Sequence, residues 1–242
     1  MLAGFAEKYG ITFSLLSDEG SRVIQALGML NEHVQEHHAF YGIPERDYVV
    51  GVPYPGTFLL DQQGVVVERR FQDSYRERET GVAILEQGFG IESSAHGPEA
   101  RAGGAGLAVR AYLDSGVYRG FQRLRLTVEL AVESGLHVYG RPIPEGYVPL
   151  SVEVAPIEGL DVGPLDGPAP HPFRIEGLDE AFFVHEGPLR FSLPLTFRER
   201  VGDQTVQVTV RYQACSATDC LMPQAIELQL PVTMENNLES DR

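Results

Sequence analysis

The chain has 242 residues, 43% apolar and 22% charged, which suits one large or two small folded domains and is too hydrophobic for a disordered chain. A formal net charge of −15 repels phosphate backbones and anionic lipid heads, so nucleic acid and membrane surfaces come last among its expected partners. No apolar run approaches the ~18 residues of a spanning helix, and no membrane insertion is expected.

Residues 2–9 place Leu2, Phe5, Ala6 and Tyr9 on one face and read as the tail of a helix. Ile11–Leu16 is a short apolar run with the look of a strand. Ser17-Asp18-Glu19-Gly20 offers caps for a helix over 21–27 that Gly28 ends. Residues 29–56 carry three histidines and Pro44, Pro53 and Pro55, and read as irregular. Thr57–Asp61 and Val65–Phe71 are strands joined by Asp61-Gln62-Gln63-Gly64, a hairpin signal. Residues 75–87 return to helical spacing. Residues 88–106, rich in Gly, Ala and Ser without periodicity, read as a linker.

The second half changes character. Leu107–Leu113, Gln122–Val132, Leu136–Tyr139, Val148–Ala155, Leu189–Phe197, Gln204–Tyr212 and Ala225–Val232 alternate or are β-branched, with Gly and Pro in the gaps. Such runs with almost no helical pattern predict an antiparallel β-sandwich of immunoglobulin size. The organisation expected is α/β plus all-β: one domain over 1–87, a linker over 88–106, a sandwich over 107–234 and a tail over 235–242.

The two cysteines, Cys215 and Cys220, flank the tip expected between Val206–Tyr212 and Ile226–Leu230. A hairpin brings Cα atoms within the roughly 4.4–6.8 Å a disulfide needs. A disulfide points in turn to an oxidising compartment. The opening MLAGFAEKYG has neither a basic n-region nor an apolar h-region, so either the true start, with a signal peptide, lies upstream, which is the favoured reading, or the protein is cytosolic with a redox-active pair. Closing so short a loop removes only about 2 kcal/mol of unfolded-chain entropy. The pair is therefore either an ordinary staple or an exchangeable redox couple. His33, His37 and His38 put two imidazoles at i, i+4, but the motif is not His-Glu-x-x-His and a solvated segment is the default. No metal and no cofactor are expected.

Tyr212-Gln213-Ala214-Cys215 with Cys220-Leu221-Met222-Pro223 resembles the cysteine hairpin of the family of the N-terminal domain of the thiol:disulfide interchange protein DsbD. Gly135-Leu136-His137-Val138-Tyr139 resembles that family's Gly-x-His/Tyr-x-Tyr strand. Asp179-Glu180-Ala181-Phe182-Phe183, ahead of Phe191–Leu195, resembles its acidic-aromatic cap loop. Four residues separate the cysteines, fewer than in the best-known members, and Gln224 stands where the family has a second proline. The first half, through Phe5–Ile11, Leu15–Asp18 and Tyr54–Asp61, resembles the later part of a redoxin of the AhpC/TSA class. It holds no cysteine.

These resemblances imply an incomplete thioredoxin-like domain followed by an immunoglobulin-like sandwich that relays reducing equivalents outside the cytoplasm, in the periplasm or a like compartment. Cys215 and Cys220 would be the catalytic pair, with Cys220 attacking. Phe182 or Phe183 would shield it, Asp179 and Glu180 would tune it, and His137 and Tyr139 would lie on the neighbouring strand. The partners implied are thioredoxin-like redox proteins or a membrane electron-transfer domain. The rival readings are a docking module with a structural disulfide, and a peroxidase or thioredoxin-like reductase whose catalytic cysteine is missing from this chain.

Overall fold

The computed structural model describes residues 2–40, 42, 44, 51–71, 77–91, 97–174, 182–198 and 202–235. The chain divides into two compact units, Met1–Arg76 and Glu77–Arg242.

In the first unit the helix tail forms as α1 (Leu2–Lys8), followed by α2 (Arg22–Ala26) and α3 (Val34–Phe40). Asp18 sits ahead of α2, its carboxylate accepting from the N–H groups of Val23 at 3.0 Å and Ile24 at 2.9 Å. Those two bonds hold its pKa below the ordinary carboxylate value. The hairpin forms as β1 (Gly56–Leu60) and β2 (Val66–Phe71). Its turn is closed by Asp61, whose Oδ1 accepts from Gln63 and Val65, both at 2.9 Å. Two expectations fail here. Ile11–Leu16 forms no strand, since no described strand pairs with its backbone, and Phe13 and Leu16 are exposed. Within 29–56, expected to be irregular, α3 forms.

The second unit is built on strands. They are β3 (Arg78–Glu79), then, after α4 (Gly81–Phe89), β4 (Glu99–Gly104), β5 (Leu107–Leu113), β6 (Val117–Tyr118), β7 (Gln122–Val132) and β8 (His137–Tyr139). There follow β9 (Ser151–Val154), β10 (Leu160–Val162), β11 (His171–Phe173), β12 (Phe182–His185), β13 (Pro188–Phe197), β14 (Gln204–Tyr212), β15 (Ala214–Cys215) and β16 (Gln224–Met234). One sheet runs β10-β13-β7-β5-β4, with β3 parallel to β7; the facing sheet runs β6-β16-β14-β9. The alternation seen in the sequence supplies the core between them. Leu124, Leu126 and Val128 of β7, Leu195 and Phe197 of β13, Val206, Val208 and Val210 of β14 and Leu230 of β16 all lose their whole surface. This is the expected antiparallel sandwich.

The segment expected to be a linker behaves differently. Glu99–Gly104 is an edge strand in register with β5, from Glu99 opposite Tyr112 to Gly104 opposite Leu107. Its glycines serve close approach rather than flexibility. A Cβ on Gly104 would stand 2.4 Å from the Tyr212 hydroxyl, and Gly106 turns with φ +77° against Leu136. Upstream, Glu77 meets Arg123 at 2.8 Å, and the Thr80 hydroxyl donates to the buried Asp114 at 2.5 Å while accepting from Ala83 N–H. Residues 77–91 therefore belong to the sandwich unit, and the helix expected over 75–87 begins at Gly81, where Thr80 caps it.

Candidate redox site

A third, small sheet, β11-β12-β8-β15, carries the cysteines. The β14–β16 ladder ends at Tyr212 opposite Gln224, and the chain between leaves it to pair Ala214 with Val138 and Cys215 with His137. The pair thus sits on a neighbouring sheet, not at the tip of the β14–β16 hairpin itself. The turn is built by local hydrogen bonds. Ser216 Oγ accepts from Thr218 N–H at 3.2 Å and Asp219 N–H at 3.0 Å, and Leu221 N–H donates to Ala214 O at 2.9 Å. Gln213 braces its base, donating to Leu221 O and accepting from Val148 N–H, both at 3.2 Å.

Cys215 and Cys220 are joined by a disulfide. The two sulfurs live in different surroundings: Cys215 is completely buried, whereas Cys220 is exposed. Strand alternation explains the buried side. Val138 and Ala214 face the main core, so their neighbours Tyr139 and Cys215 face the other way, into a cluster with Phe182, Val184, Ile143, Tyr147 and Phe173. Tyr139 packs its ring 5.0 Å from Tyr147 and 5.6 Å from Phe182. Its hydroxyl reaches Cys220 Sγ at 3.6 Å. A disulfide sulfur has no proton, so the phenol is the donor. Burial raises its pKa and keeps that proton in place.

The residues expected to surround the pair divide. His137 and Tyr139 stand beside it. Phe182 is buried in its cluster, but Phe183 lies on the opposite face of β12, half-buried and paired across to Pro172. Asp179 and Glu180 lie outside the described residues. Tyr147 and Phe173 join the cluster although no periodicity marks them. The only signal was an aromatic within a Pro- and Gly-rich stretch and another just after His171-Pro172. His33 pairs with Glu36 at 3.2 Å, and no group of three His, Cys, Asp or Glu side chains among the described residues is placed to hold a metal ion.

The disulfide lies within the segment that one family model matches. Residues 119–231 match the family model of the thiol:disulfide interchange protein DsbD, N-terminal. Residues 2–69 match the AhpC/TSA family. No curated protein sequence matches the chain. Among solved structures, the N-terminal periplasmic domain of ScsB from Proteus mirabilis is 16% identical, with a TM-score of 0.39, over 58% of this chain and 52% of that one. The match thus spans about half the length of that ScsB domain. The reduced DsbD N-terminal domain of Neisseria meningitidis is 14% identical, with a TM-score of 0.33, over 57% of this chain and 86% of that one. The complex between the DsbD and PilB N-terminal domains of Neisseria meningitidis is 14% identical, with a TM-score of 0.31, over 56% of this chain and 82% of that one. The sandwich, with its closed cysteine pair, is thus similar over residues 119–231 to the DsbD N-terminal family, and residues 2–69 are similar to the AhpC/TSA family.

Proposed function

We propose that the chain relays reducing equivalents by thiol–disulfide exchange through Cys215 and Cys220, in the periplasm or a similar oxidising compartment. The observation that carries the reading is the asymmetry of the pair. An incoming thiolate attacks at Cys220, an exposed residue, while Cys215 is sealed among rings and leaves as the second sulfur. Attack at Cys220 forms a mixed disulfide with the partner and releases the Cys215 sulfur. Return attack by Cys215 on Cys220 expels the partner as a thiol. The hydroxyl of Tyr139, already directed at Cys220, donates to the thiolate that forms there on reduction. Partners of the thioredoxin-like class, or a membrane domain that supplies electrons, fit an exposed Cys220 beside the small sheet.

The experiment is equilibration of the full chain in glutathione and dithiothreitol buffers, with the thiol state read by alkylation and mass. An exchange pair titrates near the poise of an oxidising compartment, whereas a structural staple resists millimolar glutathione. Cys215→Ser should leave a Cys220 thiol that forms a mixed disulfide with glutathione severalfold faster than the Cys215 thiol of Cys220→Ser. Equal rates would defeat the assignment of Cys220 as the attacking residue. The sequence holds no cysteine before Cys215, so residues 1–87 should show no peroxide turnover of their own.

A further inference from the structure

His137 is 2% exposed, and its Nε2 has no hydrogen-bond partner among the described residues. Native folds seldom leave a buried polar atom unpaired, and each one calls for a partner or a role. The surroundings narrow what that use is. His137 is the register partner of Cys215, and directly opposed residues of an antiparallel pair share a face, with Cβ atoms about 4.5–5.5 Å apart. Two rings pack against it: Phe173 at 4.5 Å and Tyr139 at 5.4 Å between centroids.

We propose that His137 is the general base for closure of the cysteine pair, which rests on the exchange reading above. In the mixed disulfide between Cys220 and a partner thiol, Nε2 takes the proton of the Cys215 thiol as that sulfur attacks Cys220. The Cys215–Cys220 bond forms, the Cys220–partner bond breaks, and the expelled partner thiolate recovers the proton from the imidazole through solvent. The buried position of Cys215 creates the need. An apolar setting disfavours its thiolate, so attack requires a base within the cluster, whereas water serves the exposed Cys220.

The protonation state is right for a base. Burial lowers the pKa of His137 and keeps the imidazole neutral, with Glu186 opposing that shift and His171 adding to it. Those two groups face each other at 3.2 Å, which occupies His171, the other imidazole on this face of the sheet. Tyr139 and Tyr147 are phenols, His185 faces the opposite side of β12, and Asp219 is exposed in the turn. None of them supplies a buried basic nitrogen beside Cys215.

The test is stopped-flow oxidation of the reduced full chain by excess oxidised glutathione, at concentrations where ring closure limits the rate, from pH 5 to 9. In the parent, closure should rise through one step below neutrality, as the imidazole loses its proton, and then level off. His137→Gln should close at least tenfold more slowly at pH 7, toward the ~10²-fold that loss of a general base removes, and rise only with thiol ionisation at alkaline pH. An unchanged rate and profile would overturn the proposal. A measurement on the parent guards against a variant that fails to fold. The imidazole ¹⁵N resonances of His137 should move on reduction, as Nε2 becomes an acceptor for the Cys215 thiol, and resonances that stay put would equally overturn it. If the parent pair never exchanges with glutathione, the exchange reading itself fails and the base falls with it; if it exchanges normally while His137→Gln matches it, only the base is wrong.

Discussion

The Tyr139 hydroxyl stands 3.6 Å from the Cys220 sulfur, so a phenol rooted in the buried ring cluster holds the exposed half of the pair. Its ring belongs to the packing and its oxygen to the chemistry. Tyr139→Phe separates the two, because the ring and its neighbours stay while the donor goes. The variant should lose about 1 kcal/mol of stability. After reduction, its Cys220 thiolate lacks that donor, so alkylation by iodoacetamide should require higher pH than in the parent. Coincident pH profiles would show that the hydroxyl does not bond the thiolate.

Phe182 and Phe183 are adjacent in sequence and opposite in space, and only Phe182 shares the cluster of Cys215. Phe182→Ala should cost about 3–5 kcal/mol, since the ring is completely buried. Phe182→Leu is the gentler probe. In a Cys220→Ser background it should speed alkylation of Cys215 severalfold while the domain stays folded. Phe183→Ala in the same background should leave that rate unchanged. Equal acceleration by both would mean general loosening rather than removal of a shield.

Much of the sandwich is legible in the sequence, because alternation records which face of a strand is buried. Val206, Val208 and Val210 alternate with Gln207 and Thr209, and the structure buries the valines. The cysteine hairpin is legible in the same way, through the strands that flank it. Alternation does not record which strand lies beside which. Nothing in Val206–Tyr212 shows that the chain leaves β16 after Tyr212 to set Cys215 beside His137. The edge strand β4 escapes for a different reason. Its inward residues, Ala100 and Ala102, are too small to stand out as apolar, and its glycines imitate a linker. Ile11–Leu16 errs in the opposite sense, since an apolar run becomes a strand only where a neighbour accepts its backbone groups.

The boundary therefore has a consequence for fragments. A fragment of residues 107–235 lacks β4, the Thr80–Asp114 bond and the Glu77–Arg123 pair, and it uncovers the edge of β5. Asp114 would stay buried with one donor fewer, its carboxyl already pushed up by burial. Compared with residues 77–235, this shorter fragment should lose about 3 kcal/mol, or roughly 10 °C in Tm, and aggregate more readily through its open edge. Equal melting temperatures would show that residues 77–106 are dispensable to the sandwich.

Glu99 on that edge strand contributes to how the second unit responds to acid. Its Oε1 accepts from Arg101 Nε at 2.5 Å, and its Oε2 accepts from Arg110 Nε at 2.9 Å and Nη2 at 2.6 Å. Arg110 also donates to Glu129 at 3.0 Å, so one guanidinium ties β4 through β5 to β7. These bonds to Arg110 and then Arg101 lower the Glu99 pKa from 4.5 to about 2. A carboxylate whose pKa is depressed on folding contributes stability above its unfolded value and loses it as pH falls through the folded one. The contribution is therefore full at pH 5 and fades between about 4.5 and 2. Glu99→Gln removes it at every pH. The gap in Tm between parent and Glu99→Gln should be widest at pH 5, narrow steadily on acidification, and shrink at high salt because the groups face solvent. A gap that keeps its size from pH 5 to 2.5 would mean that Glu99 acts through packing and not through its charge.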